Sequence, residues 1–326
     1  MRVGVVIVTY DAADVIGRTL ASLAAQARRP DRVVVVDNAS TDDTLARVRA
    51  HPATHALSLE VIASPENLGF AAANNLAVER LEDCPLIALV NPDAFPEQEW
   101  LAHLERAAVS HPEAASFASR LMQADRPHLL DGAGDVYHAS GLLWRRGHGR
   151  RPAHVPEAMT DGPVFSACAA AALYRRADWV EVGGLDPRFF CYAEDVDLGF
   201  RLQRHGRGCW YVADAVALHV GSASSGVDSP FAVYHGHRNL EWVYLKNMPR
   251  RLAWRYAPWH VAAVFAGLVS LGLRGRLRPY VRAKRDALRR ASEFARERRR
   301  DRDVLPARAL AARLDRSSLW RRWRAR

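Results

Sequence analysis

The feature that most constrains this chain's fold is a cycle repeated through its first ninety residues, a short unbroken apolar run followed by a stretch of helical periodicity. The β-like runs are "VGVVIVTY" (3–10), "DRVVVVDNAS" (31–40), "LSLEVIAS" (57–64) and "PLIALVNPDAF" (85–95). Between them, "DVIGRTLASLAAQ" (14–26), "TDDTLARVRA" (41–50) and "GFAAANNLAVERL" (69–81) space their apolar residues as helices do. A strand apolar on both sides must be covered on both sides. The cycle therefore predicts an α/β fold, a mainly parallel sheet flanked by helices.

In such sheets ligands bind beyond the carboxyl ends of the strands. The residues expected there are short and polar: Thr9, Tyr10 and Asp11; Asp37, Asn38 and Ser40; Asn91 and Asp93. Asp37 could accept hydrogen bonds from a base or ribose, or simply turn the chain toward the next helix. Asn67 and Gly69 enter a helix whose first N–H groups could receive phosphate, and an ordinary capped helix would look the same. Asp93 could hold a hard divalent cation, or belong to a common Pro-Asp turn. His219 in "ALHVGS" gains meaning only if the fold brings it near Asp93.

"CYAEDVDLGFRLQRHG" (191–206) places Glu194, Asp195 and Asp197 at the start of an amphipathic helix. The helix dipole favours acids there. The aromatic, glycine-paired lead-in "GGLDPRFFCYAED" suggests more, because partial desolvation raises a carboxylate's basicity and makes it a candidate general base. Asp195 shares a helix face with Leu198 and Leu202, while Asp197 and Arg201 are spaced to pair as a surface ion pair.

Taken in order, "VVIVTYD", "VVVVDNASTD", "ENLGFAAANN", "LVNPDAF", "GGLDPRFFCYAEDVDLGFRLQRHG" and "ALHVGSAS" resemble the family-2 inverting glycosyltransferases of GT-A fold, and most of all their rhamnosyltransferase-like branch. The resemblance covers about residues 1–225, and "HGHRNLEWVYLKNMP" (235–249) extends it. It implies a nucleotide pocket lined by Thr9, Tyr10 and Asp11, with Asp37 on the base or ribose and Asn67, Gly69 and Asn74 near the ribose-diphosphate. Asn91 and Asp93 stand in place of the family's D-x-D motif, with one aspartate where many relatives have two. Asp93 and His219 would hold Mg²⁺ or Mn²⁺. Asp195 would be the catalytic base and Glu194 its acidic neighbour beside the acceptor. The reaction implied moves one sugar, with dTDP-rhamnose the leading donor, to a glycan or lipid-linked acceptor in cell-surface polysaccharide or glycolipid synthesis. No Q-x-x-R-W motif is present, which disfavours a processive synthase.

Charge divides the chain. Residues 1–245 carry 22 basic and 30 acidic side chains, and residues 246–326 carry 24 basic and 6 acidic ones. The expected division is a catalytic domain at 1–228 and a basic helical region at 229–326. The apolar stretch from Pro258 to Leu273 is shorter than the roughly 20 residues that span a bilayer. With "GRLRPYVRAKRDALRRASEFARERRRDRD" (275–303), whose apolar face is expected at Leu288, Ala291 and Ala295, and the terminal "LWRRWRAR", it suits an anchor on an anionic membrane surface. A solvated helix is the plainer alternative. Nucleic acid is not an expected partner, since no binding motif accompanies the charge. A catalytically idle nucleotide-sugar-binding relative is the other rival. Four sparse cysteines without C-x-x-C spacing point to a reducing, cytoplasmic compartment.

Overall fold

A computed structural model of the chain describes residues 1–221, 229–300 and 304–318. The apolar runs form β1 (Val3–Thr9), β2 (Arg32–Asp37), β3 (Leu59–Ala63) and β4 (Leu86–Val90). Beyond them come β5 (Ala94–Pro96), β6 (Ala114–Gln123), β7 (Leu130–Ala133), β8 (Asp135–Tyr137), β9 (Leu143–Arg145), β10 (Gly162–Val164), β11 (Ala171–Arg175) and β12 (Gly208–His219). The main sheet has the order β10-β12-β6-β11-β4-β1-β2-β3, with β5 added to β12 and β7 to β6, while β8 and β9 pair apart from it. Strands β1 to β4 are mutually parallel, as are β6 and β12, and β11 lies antiparallel between β4 and β6. The carboxyl ends of β1, β2, β3, β4, β6 and β12 therefore share one edge.

Helices α1 (Ala13–Ala24), α2 (Thr44–Ala50), α3 (Ala53–Ala56), α4 (Gly69–Glu79), α5 (Trp100–Ser110), α6 (Arg176–Glu181) and α7 (Glu194–Arg204) belong to this body. Alternation within each strand sends side chains to opposite faces. Val5 and Ile7 of β1 join Ile16, Leu20 and Leu23 of α1 and Trp100 of α5, while Val6 and Val8 join Ala73 and Ala77 of α4 and Leu198 and Leu202 of α7. Each Val, Ile or Leu side chain among them contributes about 1.5–3 kcal/mol on full burial, which is why both strand faces are apolar.

Ser229 caps α8 (Pro230–Asn247), its Oγ accepting from the Ala232 N–H at 3.1 Å. α9 (Arg250–Leu273), α10 (Leu277–Arg289), α11 (Ala291–Arg300) and α12 (Ala307–Arg313) follow. These helices share a core with the body: Tyr137, Phe165, Phe189 and Phe200 pack with Trp242, Tyr256, Phe294 and Leu310.

Three expectations change. Residues 208–219, for which two short strands are expected from sequence, form one long strand with a bulge between Val212 and Val216 that shifts its register on β6. The apolar stretch from Pro258 continues a helix that begins at Arg250 and is 24 residues long, and by length and composition α9 could cross a membrane. The basic helices bury Tyr280, Ala283 and Ala287 of α10 and Phe294 of α11, leaving Leu288 69% exposed. The predicted stripe at Leu288, Ala291 and Ala295 followed the wrong turn because a break at Arg290 resets the helical phase. The terminal "LWRRWRAR" lies outside the described residues.

Candidate active site

Asp37 ends β2 fully sheltered. Its Oδ1 accepts from Thr9 Oγ1 at 3.1 Å and Ser40 Oγ at 2.6 Å, so the end of β1 and the turn after β2 fix the carboxylate between them. Asp11 lies above, accepting from the Thr41 N–H at 2.7 Å, and Tyr10 beside it is exposed. Asn38 donates to Asn67 Oδ1 at 2.8 Å and accepts from the Leu68 N–H at 2.8 Å. The loops after β2 and β3 are thus stitched together by two asparagines, of which Asn38 had no assigned role.

Asn67 Oδ1 also accepts from the Gly69 N–H at 2.9 Å. Gly69 has φ of 79°, and a Cβ there would lie 2.5 Å from the Phe190 ring and 2.8 Å from its carbonyl oxygen. Only glycine fits both the backbone and that contact. Asn74 turns back into its own helix, donating to the Phe70 carbonyl at 2.8 Å. The residue of α4 that reaches across is Asn75, which exchanges hydrogen bonds with Leu185 (2.6 and 3.0 Å).

On the other side of the crevice, Asn91 follows β4, and its buried Oδ1 has no hydrogen-bond partner among the described residues. Asp93 and His219 do meet: His219 Nε2 is 3.4 Å from Asp93 Oδ1, and His219 Nδ1 lies 2.7 Å from Asp131 Oδ2. Burial opposes the charge on Asp93, but His219 outweighs it and holds the carboxyl below its usual range. Burial likewise opposes a charged His219, and Asp131 and Asp93 together raise its pKa. Asp131 also pairs with Arg145, and the neighbouring His148 and His219 hold its carboxyl low against the cost of burial.

Among the described residues no group of three His, Cys, Asp or Glu side chains is arranged around a metal. The donor set nevertheless fits a hard divalent cation. An Asp oxygen and a His nitrogen converge, the second ring nitrogen is held by a carboxylate as in many metal-binding histidines, and an unpaired amide oxygen belongs to the same strand-end cluster. Two protein ligands would leave the other positions to diphosphate and water.

Helix α7 faces this edge. Asp195 Oδ2 accepts from the Ala169 N–H at 3.0 Å and Oδ1 from the Val196 N–H at 2.8 Å, and the side chain keeps some exposure. Desolvation raises its pKa, against the pull of the Ala169 N–H and Arg145. Glu194 is buried with Oε2 unpartnered, and desolvation first, then the neighbouring Asp195, push its pKa well above the usual glutamate range. Gly199 lets α7 pass close to Ser166, where a Cβ would lie 2.4 Å from the serine Cβ. Buried Asp135 is next to that serine, and burial together with Asp195 raises its pKa.

The expectation for Asp197 is corrected. It does pair with Arg201 (2.8 Å), but it is fully buried, and it also accepts from Lys246 (2.9 Å) and Asn247 (2.7 Å) of α8. Lys246 bridges onward to Asp186 at 2.7 Å. The lead-in to α7 is unusual in its backbone: Phe190, Tyr192 and Ala193 all have positive φ (65°, 74° and 63°). Asn239 of α8 holds that conformation, its Nδ2 donating to the carbonyls of Phe189 (2.9 Å), Cys191 (2.8 Å) and Tyr192 (2.6 Å), and Arg238 adds a bond to Phe189. Nothing in the local pattern of α8 marks Asn239 or Arg238 for this task.

A crevice at the carboxyl edge of a mixed α/β sheet, faced by an acid-bearing helix, is the architecture of GT-A glycosyltransferases. Solved structures agree on the fold: GalNAc-T7 (TM-score 0.61, 14% identity, 76% of this chain and 48% of that one), residues 1–349 of S. aureus TarS with UDP-GlcNAc (0.60, 19%, 89% and 81%) and the mannosyltransferase PcManGT of Pyrobaculum calidifontis (0.57, 18%, 91% and 84%). The chain belongs to glycosyl transferase family 2, whose sequence profile matches residues 4–179. Within it the chain is rhamnosyltransferase-like. It is 29% identical over 304 residues to the N-acetylglucosaminyl-diphospho-decaprenol L-rhamnosyltransferase of Mycobacterium tuberculosis, covering 86% of this chain and 95% of that one. It is 25% identical over 216 residues to the galactofuranosyltransferase GlfT1 of the same organism (66% and 68%).

Proposed function

We propose that this glycosyltransferase moves a single sugar, with inversion, from a nucleoside diphosphate donor to a hydroxyl of a lipid-linked glycan in cell-wall polysaccharide synthesis. The observation that carries the reading is Asp195, a partly desolvated carboxylate held by two backbone N–H groups at the rim of the crevice that Asp37 and Asp93 line. Its raised basicity suits proton abstraction. Asp195 removes the proton of the acceptor hydroxyl; that oxygen bonds to the anomeric carbon as the bond from this carbon to the diphosphate oxygen breaks. The nucleoside diphosphate leaves from the opposite face, the inverting logic known from glycoside hydrolysis.

Thr9, Tyr10, Asp11 and Asp37 form the base and ribose side of the pocket, and Asn67 and Gly69 shape the loop beside the diphosphate. Asp93 and His219, with the Asn91 amide beside them, would hold Mg²⁺ or Mn²⁺, which when bound neutralises charge on the departing diphosphate. Glu194, next to the base and with its Oε2 unpartnered, is placed to hydrogen-bond the acceptor. The donor is dTDP-rhamnose by resemblance to the rhamnosyltransferase-like branch, and the name of the mycobacterial relative supports the rhamnosyl group and the acceptor class.

The protein works at the cytoplasmic face of the membrane. Support comes from α9, where Trp254, Phe265 and Leu273 are 73%, 65% and 86% exposed, next to arginine-rich α10 and α11. Trp and Arg favour the headgroup region. His260, on the opposite face of α9, is tied inward to Glu241 at 2.8 Å and stacked on Tyr244, which favours a helix lying on the surface over one crossing it.

The test is hydrolysis and transfer with a panel of nucleotide sugars, each with and without Mn²⁺ or Mg²⁺. dTDP-rhamnose turnover that requires a metal and disappears in Asp195→Asn, with donor binding retained, is the expected result. No binding or turnover of any donor would end the transferase reading.

A further inference from the structure

Between the first turns of α8 and α10 lies a cleft that the donor site does not use. One wall is aromatic, Phe231, Tyr234 and His235, and the other carries Arg278 and Arg282 beside Pro279. We propose that this cleft receives the diphosphate of the lipid-linked acceptor, with Arg278 and Arg282 as its ligands. The inference rests on the transferase reading above and adds where the acceptor's charged group is held.

Three observations support it. Arg278 and Arg282 are four residues apart, hence on one face of α10, and both are exposed. Arg282 approaches Asp286 only to 3.7 Å and lies 5.0 Å from the Tyr234 ring. Two neighbouring guanidinium groups not committed to short ion pairs match a diphosphate, because their planar forks bind phosphoryl oxygens in pairs.

Ring contacts then lead from the cleft to the catalytic loop. Phe231 and His235 are 4.4 Å apart, Phe190 stacks on His235 at 5.4 Å, and Tyr192 and Phe231 are 6.3 Å apart. Phe190 and Tyr192 immediately precede Glu194 and Asp195. A sugar attached to the bound diphosphate would lie along ring faces toward the base, and the Phe190 loop would separate it from the donor's entry at Gly69.

Finally, the apolar residues near the cleft suit the lipid. Leu273, Leu277 and Val281 are exposed along the junction of α9 with α10, continuing the exposed Phe265 and Val269. A prenyl chain leaving the cleft would meet apolar surface and then bilayer.

The full chain in EDTA, which removes metal-assisted diphosphate binding at Asp93, is titrated calorimetrically with geranyl diphosphate and with geraniol. Arg278→Ala with Arg282→Ala should weaken geranyl diphosphate binding at least tenfold. Arg285→Ala with Arg289→Ala, an equal charge change one turn further along α10, should leave it within twofold, and geraniol should bind far more weakly to the wild type. All four arginines are exposed, so matched melting temperatures will show that folding is intact. Equal weakening by both double variants, equal binding of geraniol, or no binding of geranyl diphosphate to the wild type would overturn the proposal. None of these results touches donor turnover, which tests the transferase reading separately.

Discussion

Two acids three positions apart on adjoining helical turns have opposite fates here. Glu194 is buried without a cation, and Asp197 is buried among two cations and an amide. A carboxyl whose folded pKa is raised binds more protons folded than unfolded. Its cost therefore grows as pH climbs from the ordinary glutamate value toward the folded one. Glu194→Gln should accordingly raise the urea midpoint at pH 7.5 and lose that advantage near pH 4. For Asp197 the sign reverses. Burial opposes its charge, but Arg201 and Lys246 lower its pKa, so its contribution is present at neutral pH and lost as pH falls through the depressed value. Asp197→Asn leaves Arg201 without a carboxylate and Lys246 with Asp186 alone, and should cost about 3–5 kcal/mol in denaturant unfolding at pH 7.

Within the elements, the catalytic loop depends on α8 as much as on its own sequence. Three carbonyls of one four-residue stretch, from Phe189, Cys191 and Tyr192, converge on the Asn239 amide, and this holds three side-chain-bearing residues in the left-handed region. Such strain persists only where the surroundings over-determine it. Asn239→Ala should leave those carbonyls poorly satisfied, cost about 1–3 kcal/mol, and lower kcat for transfer more than it changes the donor KM. An equal loss of donor binding in equilibrium dialysis would contradict a role confined to the loop. The strands β1 to β4 and their polar ends were legible because continuous apolar runs and short polar residues are local signals. The pairing of His219 with Asp131 and the reach of Asn239 were not, because they join positions 88 and 47 to 50 residues apart. The Gly-rich stretch around Asp131, Asp135 and Arg145 hid its acids for another reason: three strands of three or four residues leave no period from which to tell inward from outward. Asp197 was misplaced because spacing identifies a partner on the same helix and says nothing of what packs over both.

For the molecule as a whole, the acidic body and basic tail suggested two units, yet the helices beyond Ser229 complete a core that Phe165, Phe189 and Phe200 open. Truncation after residue 229 should therefore give an aggregating fragment by size-exclusion chromatography, with no free catalytic domain. Surface attachment makes a separate prediction. Trp254→Ala with Phe265→Ala, both exposed, should reduce co-sedimentation with phosphatidylglycerol vesicles several-fold at an unchanged melting temperature, and added salt should weaken what binding remains. The composition also supplies a reporter of how the halves are joined. The chain has only two lysines, Lys246 and Lys284, and in the folded state one is sealed between Asp186 and Asp197 while the other is ion-paired to Glu241. Acylation at position 246 can proceed only when α8 lifts off the catalytic loop. The rate at which that one amine gains mass thus times the opening of the joint, without a label having to be engineered in.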